Sequence, residues 1–197
     1  TNAGGVRGDV IVHLDEQMLG QPLRWKRGRH IFVCSMTDLF ADFVSDEDID
    51  RVFAVMALAP QHTYQVLTKR AARMRAYFAH PIREALIGRQ VGLLELARSG
   101  NPVAEWSGLP LPHVWLGVSA EDQQRADERV PNLLATLAAV RFVSLEPLLG
   151  PVRLDEHALH GGPGQVDWII CGGESGPQAR PMVLGWAKDI VRHGRAA

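Results

Sequence analysis

The chain has 197 residues, 21 Lys and Arg side chains against 22 Asp and Glu, and two cysteines. With 46% hydrophobic and 22% charged residues it can bury a core, which excludes a largely disordered chain. The net charge of −1 removes the usual electrostatic argument for a dedicated DNA-binding protein, and two cysteines exclude a disulfide-rich scaffold. No apolar run approaches the roughly 20 residues that cross a bilayer and no signal-peptide pattern is present, so we expect a cytoplasmic protein with one domain over 1–197.

Five short apolar runs rich in β-branched residues predict buried strands. In chain order they cover 30–36, 64–68, 114–119, 140–144 and 168–171. Most are continuously apolar, as strands of a parallel sheet are when both faces are covered.

Helical patterns separate these runs. Ser45 and the acidic residues 46–48 are typical of a helix start, and Pro60 ends the apolar repeat that follows. The later patterns cover a segment from Arg70 to a break at Pro81, then 82–98, a segment after Ser119 interrupted at Pro131, and about 184–195. Loops are predicted at 99–102, 110–112 and 161–164. Strands alternating with helices predict an α/β fold with right-handed crossovers.

In such folds ligands bind at the carboxyl ends of the strands, so the residues that follow each run are the candidates for a site. Strand by strand these are Cys34, Ser35, Thr37 and Asp38; Thr68, Lys69 and Arg70; Ser119, Glu121 and Asp122; Ser144 and Glu146; and Gly172, Gly173, Glu174 and Ser175. Capping of the next helix explains Ser119, Glu121 and Asp122 equally well.

Glu146 is a carboxylate with apolar neighbours along the chain, where a strand ends. We expect it to be buried, with a raised pKa unless a cation or hydrogen bonds compensate, and to act either in a site or in a structural ion pair. The segment 171–176 is rich in glycine, so its backbone can approach a ligand or form a tight turn. Glu174 in that segment is suited to an amino group or a ribose hydroxyl.

Two segments are basic. Lys69, Arg70, Arg73 and Arg75 form either a cationic rim for phosphate or carboxylate or a solvated helix face. The segment 24–30, with Trp25 among cations, lies at the opposite end of the sheet; a surface role is expected there, with stacking on nucleic acid as the alternative.

Metal and nucleophile motifs are weak in this sequence. The histidines show no zinc-binding spacing, and Cys34 and Cys171 are too few for an iron–sulfur cluster. Because each cysteine closes a strand, the two thiols are possible neighbours across the sheet end, most simply as small buried side chains.

Six ordered segments resemble a family of uncharacterised proteins of bacteriophages, prophages and bacteria, over nearly the whole chain from Leu14. They are Leu23-Arg24-Trp25, the run 31–40, Gln65 to Arg70, the run 114–119, Arg141 to Gly150, and Gly172 to Gly176. Members of that family carry an upstream cysteine cluster similar to the iron–sulfur site of radical S-adenosylmethionine enzymes. The resemblance therefore implies a partial (βα) barrel of the TIM type with five or six parallel strands, and S-adenosylmethionine as cofactor.

The cofactor-binding residues expected on this basis are Ser35, Asp38, Lys69, Ser144, Glu146, Gly172, Gly173 and Glu174. The chain departs from the family pattern in having no cysteine before Cys34, in having Cys34 where Asn is expected, and in ending without a further strand. We therefore expect a domain that lacks the βα unit with the cluster, and a chain that does not perform the radical reaction by itself.

Three functions follow from the sequence. The first is a phage-related, radical S-adenosylmethionine-like protein whose intact form modifies a nucleobase, a peptide or a small molecule. The second is a non-catalytic phage protein that binds a host protein or nucleic acid through 24–30 and Arg70–Arg75. The third is a barrel hydrolase that uses Glu146 and Glu174.

Overall fold

The computed structural model describes residues 13–100, 106–155, 158–159 and 164–196. Its centre is an all-parallel sheet in which each strand pairs with the next along the chain, in the order β1-β2-β3-β4-β5. The strands are β1 (His30–Val33), β2 (Thr63–Thr68), β3 (Val114–Ser119), β4 (Val140–Leu145) and β5 (Trp168–Cys171). The predicted α/β fold is confirmed.

The predicted helices form around this sheet. They are α1 (Glu16–Leu19), a short 3₁₀ turn (Pro22–Arg24), α2 (Asp46–Leu58), α3 (Ala71–Phe78), α4 (Arg83–Ser99), α5 (Gln123–Leu134) and α6 (Leu184–Ala196). The Ser45 side chain accepts a hydrogen bond from the Asp48 amide and caps α2 as expected. Gly100, with φ of 73°, ends α4 in the left-handed conformation. Residues 101–102 and 161–163 of the predicted loops lie outside the described residues.

Two predicted boundaries are wrong. The first strand ends at Val33 because Cys34 adopts φ of 56°, which breaks the extended backbone. Pro131 lies inside α5, although an interruption was expected there. Its carbonyl still accepts a hydrogen bond from the Ala135 amide, and the buried Leu133 anchors this last turn on the core.

The strand order places the connecting helices on a single face of the sheet, because each right-handed crossover returns over the same side. Burial along β2 alternates accordingly: Tyr64, Val66 and Thr68 are buried, whereas Gln65 and Leu67 are only partly so. The architecture is that of a partial βα barrel, with an outer face covered by helices and a concave inner face.

The inner face is built in layers, as in closed βα barrels, where alternate strands contribute to one layer. His30 of β1, Trp115 of β3 and Trp168 of β5 form the lowest layer, with ring centroids 6.4 and 6.2 Å apart. Above them, the Phe142 ring occupies the place where a side chain at Gly117 would lie, since a Cβ there would be 2.5 Å from the ring. The aromatic side chains fill the amino-terminal half of the inner face and leave smaller residues at the carboxyl end.

On the outer face an ionic cluster, called here the clamp, joins α2, α3 and α4. Arg83, only 3% exposed, donates to Asp50 at 2.8 Å, to Asp46 at 2.6 Å and to the Tyr77 carbonyl at 3.1 Å. The Tyr77 hydroxyl donates to Asp50 at 2.6 Å. Burial, reinforced by this hydrogen bond, raises the pKa of Tyr77 well above its ordinary value.

Among the described residues, no helix combines the length and apolar character that crossing a membrane requires.

Candidate functional site

The candidate site is the carboxyl end of the concave face, which we call the mouth. Side chains alternate between the two faces along a strand, so counting by twos from Trp115 through Gly117 assigns Ser119 and then Glu121 to the concave face. The same count assigns Lys69 after β2 and Glu146 after β4 to that face. The mouth is defined by Lys69, Ser119, Glu121, Ser144, Glu146 and Gly172.

Asp38 ties the loop after β1 to the end of β2. Its carboxylate accepts hydrogen bonds from the Thr68 hydroxyl at 2.7 Å, the Phe40 amide at 3.0 Å and the Lys69 amide at 2.9 Å, and Arg70 lies 3.5 Å away. These partners occupy both carboxylate oxygens. Asp38 therefore holds the loop after β1 against the end of β2, and its oxygens are already engaged within the chain. Ser35 lies on an exposed turn just before it.

Lys69 and Glu121 join the ends of β2 and β3 through an ion pair of 2.5 Å. On its other side, Glu121 lies 3.2 Å from Arg129 of α5, which also donates to the Ser119 carbonyl at 2.8 Å. Burial opposes ionisation of Glu121, but the bond from Lys69 and the charge of Arg129 outweigh it and lower its pKa. The Lys69 side chain, 54% exposed, therefore presents an ammonium group whose charge is already matched.

Ser119 and Ser144 are register partners on β3 and β4, and each is 4% exposed. Neither hydroxyl forms a hydrogen bond with a residue that the structure describes. Neither hydroxyl oxygen is among the fully buried, unpartnered side-chain atoms of the described residues, which are Trp106 Nε1, Arg129 Nε and Arg141 Nε, so both hydroxyls keep some contact with solvent. The pair therefore offers two donor–acceptor groups below the rim.

The prediction that Glu146 is enclosed is wrong: the residue is exposed. Its apolar neighbour Leu148 turns into the core, while the carboxylate extends over Gly172, where a Cβ would collide with it. Glu146 forms no ion pair or hydrogen bond with any described residue. Because Gly172 has no side chain, the Glu146 carboxylate can take this position, and within the described part of the chain its charge is unmatched.

Glu174, which we expected to suit an amino group or ribose hydroxyl, is already paired in the structure, and its role in binding stays a prediction. The Glu174 carboxylate accepts two hydrogen bonds from the Arg180 guanidinium, at 2.7 and 2.9 Å, and one from the Arg180 backbone amide at 2.9 Å. These bonds lower the pKa of Glu174 to about 2. A carboxylate that stays ionised in this way is unsuited to be the general acid of a hydrolase. Gly173 beside it is exposed, and its α-carbon faces Met182.

The two cysteines are not neighbours, because β1 and β5 are the opposite edges of the sheet. Burial, with a smaller contribution from Glu146, raises the pKa of Cys171; burial and Asp38 raise that of Cys34 against an opposing hydrogen bond with Thr37. Both thiols are therefore protonated near neutral pH. Within the described ranges, no group of three or more His, Cys, Asp or Glu side chains could hold a metal ion.

The basic segments are largely engaged in the fold. The Arg29 guanidinium stacks on the Trp25 ring at 4.2 Å from its centroid, and the ring of the buried His62 lies nearly perpendicular to the same indole. Arg73 donates to backbone carbonyls of the loop before α2. Lys26 and Arg27 are exposed. Binding of a host protein or nucleic acid stays a prediction that rests on these exposed cations.

The sequence reasoning missed the roles of Glu121 and Arg129 at the mouth and of Arg180 beside it. The sequence did contain a signal that Glu121 faces the site, because Glu121 continues the period-two pattern of β3. The cap of α5 is formed by Asp122 alone. Arg129 and Arg180 act through contacts that no local pattern in the sequence indicates.

One protein family matches residues 4–197, under the description "protein of unknown function (DUF5131)". Comparison with the curated proteins and with the solved structures finds no match. The match spans nearly the whole chain, including every strand of the sheet and every residue of the mouth. The chain belongs to the DUF5131 family.

Proposed function

We propose that this chain is the S-adenosylmethionine-binding half-barrel of a phage-related enzyme that modifies a nucleobase, a peptide or a small molecule. The observation that carries the proposal is the unmatched carboxylate of Glu146 at the mouth. The other carboxylates that follow the described strands all have an arginine or lysine partner; they are Asp38, Glu121, Asp122 and Glu174. A ligand that carries a positive charge would pair with the Glu146 carboxylate.

The chemistry of S-adenosylmethionine suits these groups. Its sulfonium and ammonium groups are cations, which a rim carboxylate attracts, and its ribose carries two hydroxyls. Ser119 and Ser144, adjacent on β3 and β4, supply hydroxyls that can exchange hydrogen bonds with a diol. Gly172 keeps the Glu146 carboxylate over the mouth.

The resemblance also implies an iron–sulfur cluster, and the described residues do not fit one. Cys34 and Cys171 lie on opposite edge strands, both thiols have raised pKa values, and the described part of the chain has no metal-binding group. The function proposed for these residues is therefore to bind and orient the ligand, with no redox step assigned to them.

Isothermal titration calorimetry of the 197-residue chain with S-adenosylmethionine and S-adenosylhomocysteine tests this function. The second compound lacks the sulfonium charge, so we expect it to bind more weakly. We expect Glu146→Gln to weaken S-adenosylmethionine about tenfold, the effect of about 1.4 kcal/mol from one charged contact. The same substitution should weaken the binding of S-adenosylhomocysteine by a smaller factor.

Glu174→Gln is the matched control, because Glu174 is a rim carboxylate already paired with Arg180. It should leave the affinity for both compounds unchanged. Absence of S-adenosylmethionine binding at millimolar concentration, or equal losses in the two variants, would refute the proposal.

A further inference from the structure

A cavity of about 580 Å³ lies between the loop after β4 and helix α6. Its walls include Val152 and Arg153 from the loop, and Trp186, Arg192 and His193 from α6. None of these residues belongs to the mouth, and the function proposed above does not use them.

The loop wall of this cavity is held in place by Gln123 at the start of α5. The Gln123 side-chain oxygen accepts from the Arg153 amide at 2.7 Å, and its nitrogen donates to the Arg153 carbonyl at 3.0 Å. Gln123 thus pairs with Arg153 as a neighbouring strand would, and the buried Val152 anchors the same loop in the core. The backbone at Arg153 is fixed before any ligand arrives, which reduces the entropy lost on binding.

The cavity is lined by two arginines, Arg153 and Arg192, and by one carboxylate, Asp189, so its cations outnumber its anions and favour a negatively charged ligand. The exposed Arg153 guanidinium has no carboxylate partner among the described residues. Arg192 pairs with Asp189 at 3.0 Å on the same helix, but both side chains are more than half exposed, so water competes with this pair and it is weak. His193 adds a ring nitrogen that can donate a hydrogen bond.

Trp186 gives the cavity an aromatic wall. It is half-buried and packs against the core, so its ring is held while part of it borders the cavity. A fixed indole stacks well on a planar ring, and an arginine beside it binds phosphate through paired N–H donors. We propose that this cavity is a binding site for an aromatic phosphate of the mononucleotide type, with its ring on Trp186 and its phosphate between Arg153 and Arg192.

Titration with AMP, adenosine and inorganic phosphate, followed by calorimetry and tryptophan fluorescence, tests this site. We expect AMP to bind at least tenfold more tightly than adenosine or phosphate, because only AMP carries both groups. Arg153→Ala should weaken AMP roughly tenfold, as expected for loss of a charged phosphate contact. Trp186→Phe should remove most of the fluorescence change, although the chain has five tryptophans.

Arg27→Ala is the matched control, since Arg27 is an exposed cation outside this cavity. It should leave AMP affinity unchanged, and urea unfolding should show that all variants are folded. No AMP binding at millimolar concentration, equal weakening by Arg27→Ala and Arg153→Ala, or equal affinities for AMP and phosphate would overturn the proposal. Because Glu146 is outside this cavity, Glu146→Gln should not affect AMP, which separates this site from the mouth.

Discussion

The clamp on the outer face and the mouth on the concave face both contain carboxylates, and they differ in how completely those charges are matched. In the clamp, Arg83 lies between Asp46 and Asp50, and the Tyr77 hydroxyl completes the hydrogen bonds of Asp50. In the mouth, the Glu146 carboxylate and the hydroxyls of Ser119 and Ser144 form no hydrogen bond or ion pair with a described residue.

This difference separates structural from functional polar groups. A buried charge is tolerated when its partners are already in the chain, and such a cluster holds helices together but has nothing left for a ligand. A polar group without a partner in the chain keeps its hydrogen-bonding capacity for a ligand or water. We therefore expect the clamp to govern stability, and we propose that the mouth governs binding.

Breaking the clamp should have the largest effect. Arg83→Met leaves the buried Asp50 without its cation, so we expect the free energy of unfolding to fall by about 3–5 kcal/mol. Urea denaturation measures this change. The control is Arg51→Met, which removes an ion pair to the largely exposed Glu16 and should cost no more than about 1 kcal/mol. Equal effects of the two substitutions would show that the clamp is not a special structural element.

The next largest effect is on binding at the mouth. In Gly172→Ala the new methyl group displaces the Glu146 carboxylate, which can rotate away because it ends a flexible side chain. We expect S-adenosylmethionine affinity to fall about tenfold in calorimetry, with little change in unfolding free energy. Gly92→Ala, at a helical position with open space, should leave affinity unchanged and add about 0.5–1 kcal/mol of stability. If Gly172→Ala retains full affinity for S-adenosylmethionine, the position of the Glu146 carboxylate does not determine binding at the mouth.

Backbone strain at Cys34, directly after β1, has a smaller effect. Cys34 adopts φ of 56°, which side chains other than Gly, Asn and Asp rarely tolerate. We expect Cys34→Asn to raise the unfolding free energy by about 1 kcal/mol, as measured by urea denaturation. Cys34→Ala keeps the same backbone penalty and should give no such gain. If alanine stabilised as much as asparagine, strain would not be the cause.

The pair beside the mouth should give the smallest effect on stability. A carboxylate with a depressed pKa stabilises the fold above its unfolded value of about 4.3 and loses that contribution as pH falls toward 2. Arg180→Ala should raise the pKa of Glu174 toward that ordinary value, which carboxyl NMR titration measures. Arg192→Ala, which removes a cation outside this pair, should leave the titration of Glu174 unchanged. An unshifted Glu174 after loss of Arg180 would contradict the pairing.

Much of the fold could be predicted from the sequence, because strand and helix signals are local. The continuous apolar runs fixed the positions of β3 and β5, and the Ser45 cap marked the start of α2. The alternation of strands and helices was sufficient for the α/β class. The end of β1 was missed because one residue in an unusual backbone conformation terminates it.

The candidate site was less predictable, because its properties depend on contacts between distant residues. Glu146 has apolar neighbours in the chain, yet its exposure is decided by Gly172, 26 residues later, which leaves room for its side chain. The pairing of Glu174 depends on the course of the loop that returns Arg180. Likewise, the burial of Arg83 depends on Asp50, which lies 33 residues earlier.

The central claim is that the mouth, with Glu146 unmatched, is where this chain binds a cationic ligand. Amide chemical-shift mapping with S-adenosylmethionine measures this most directly. We expect the largest shifts to fall on 119–121, 144–149 and 171–173, and Glu146→Gln to remove them. Shifts confined to 24–30 or to the cavity at Arg153 and Trp186, with the mouth unaffected, would contradict it.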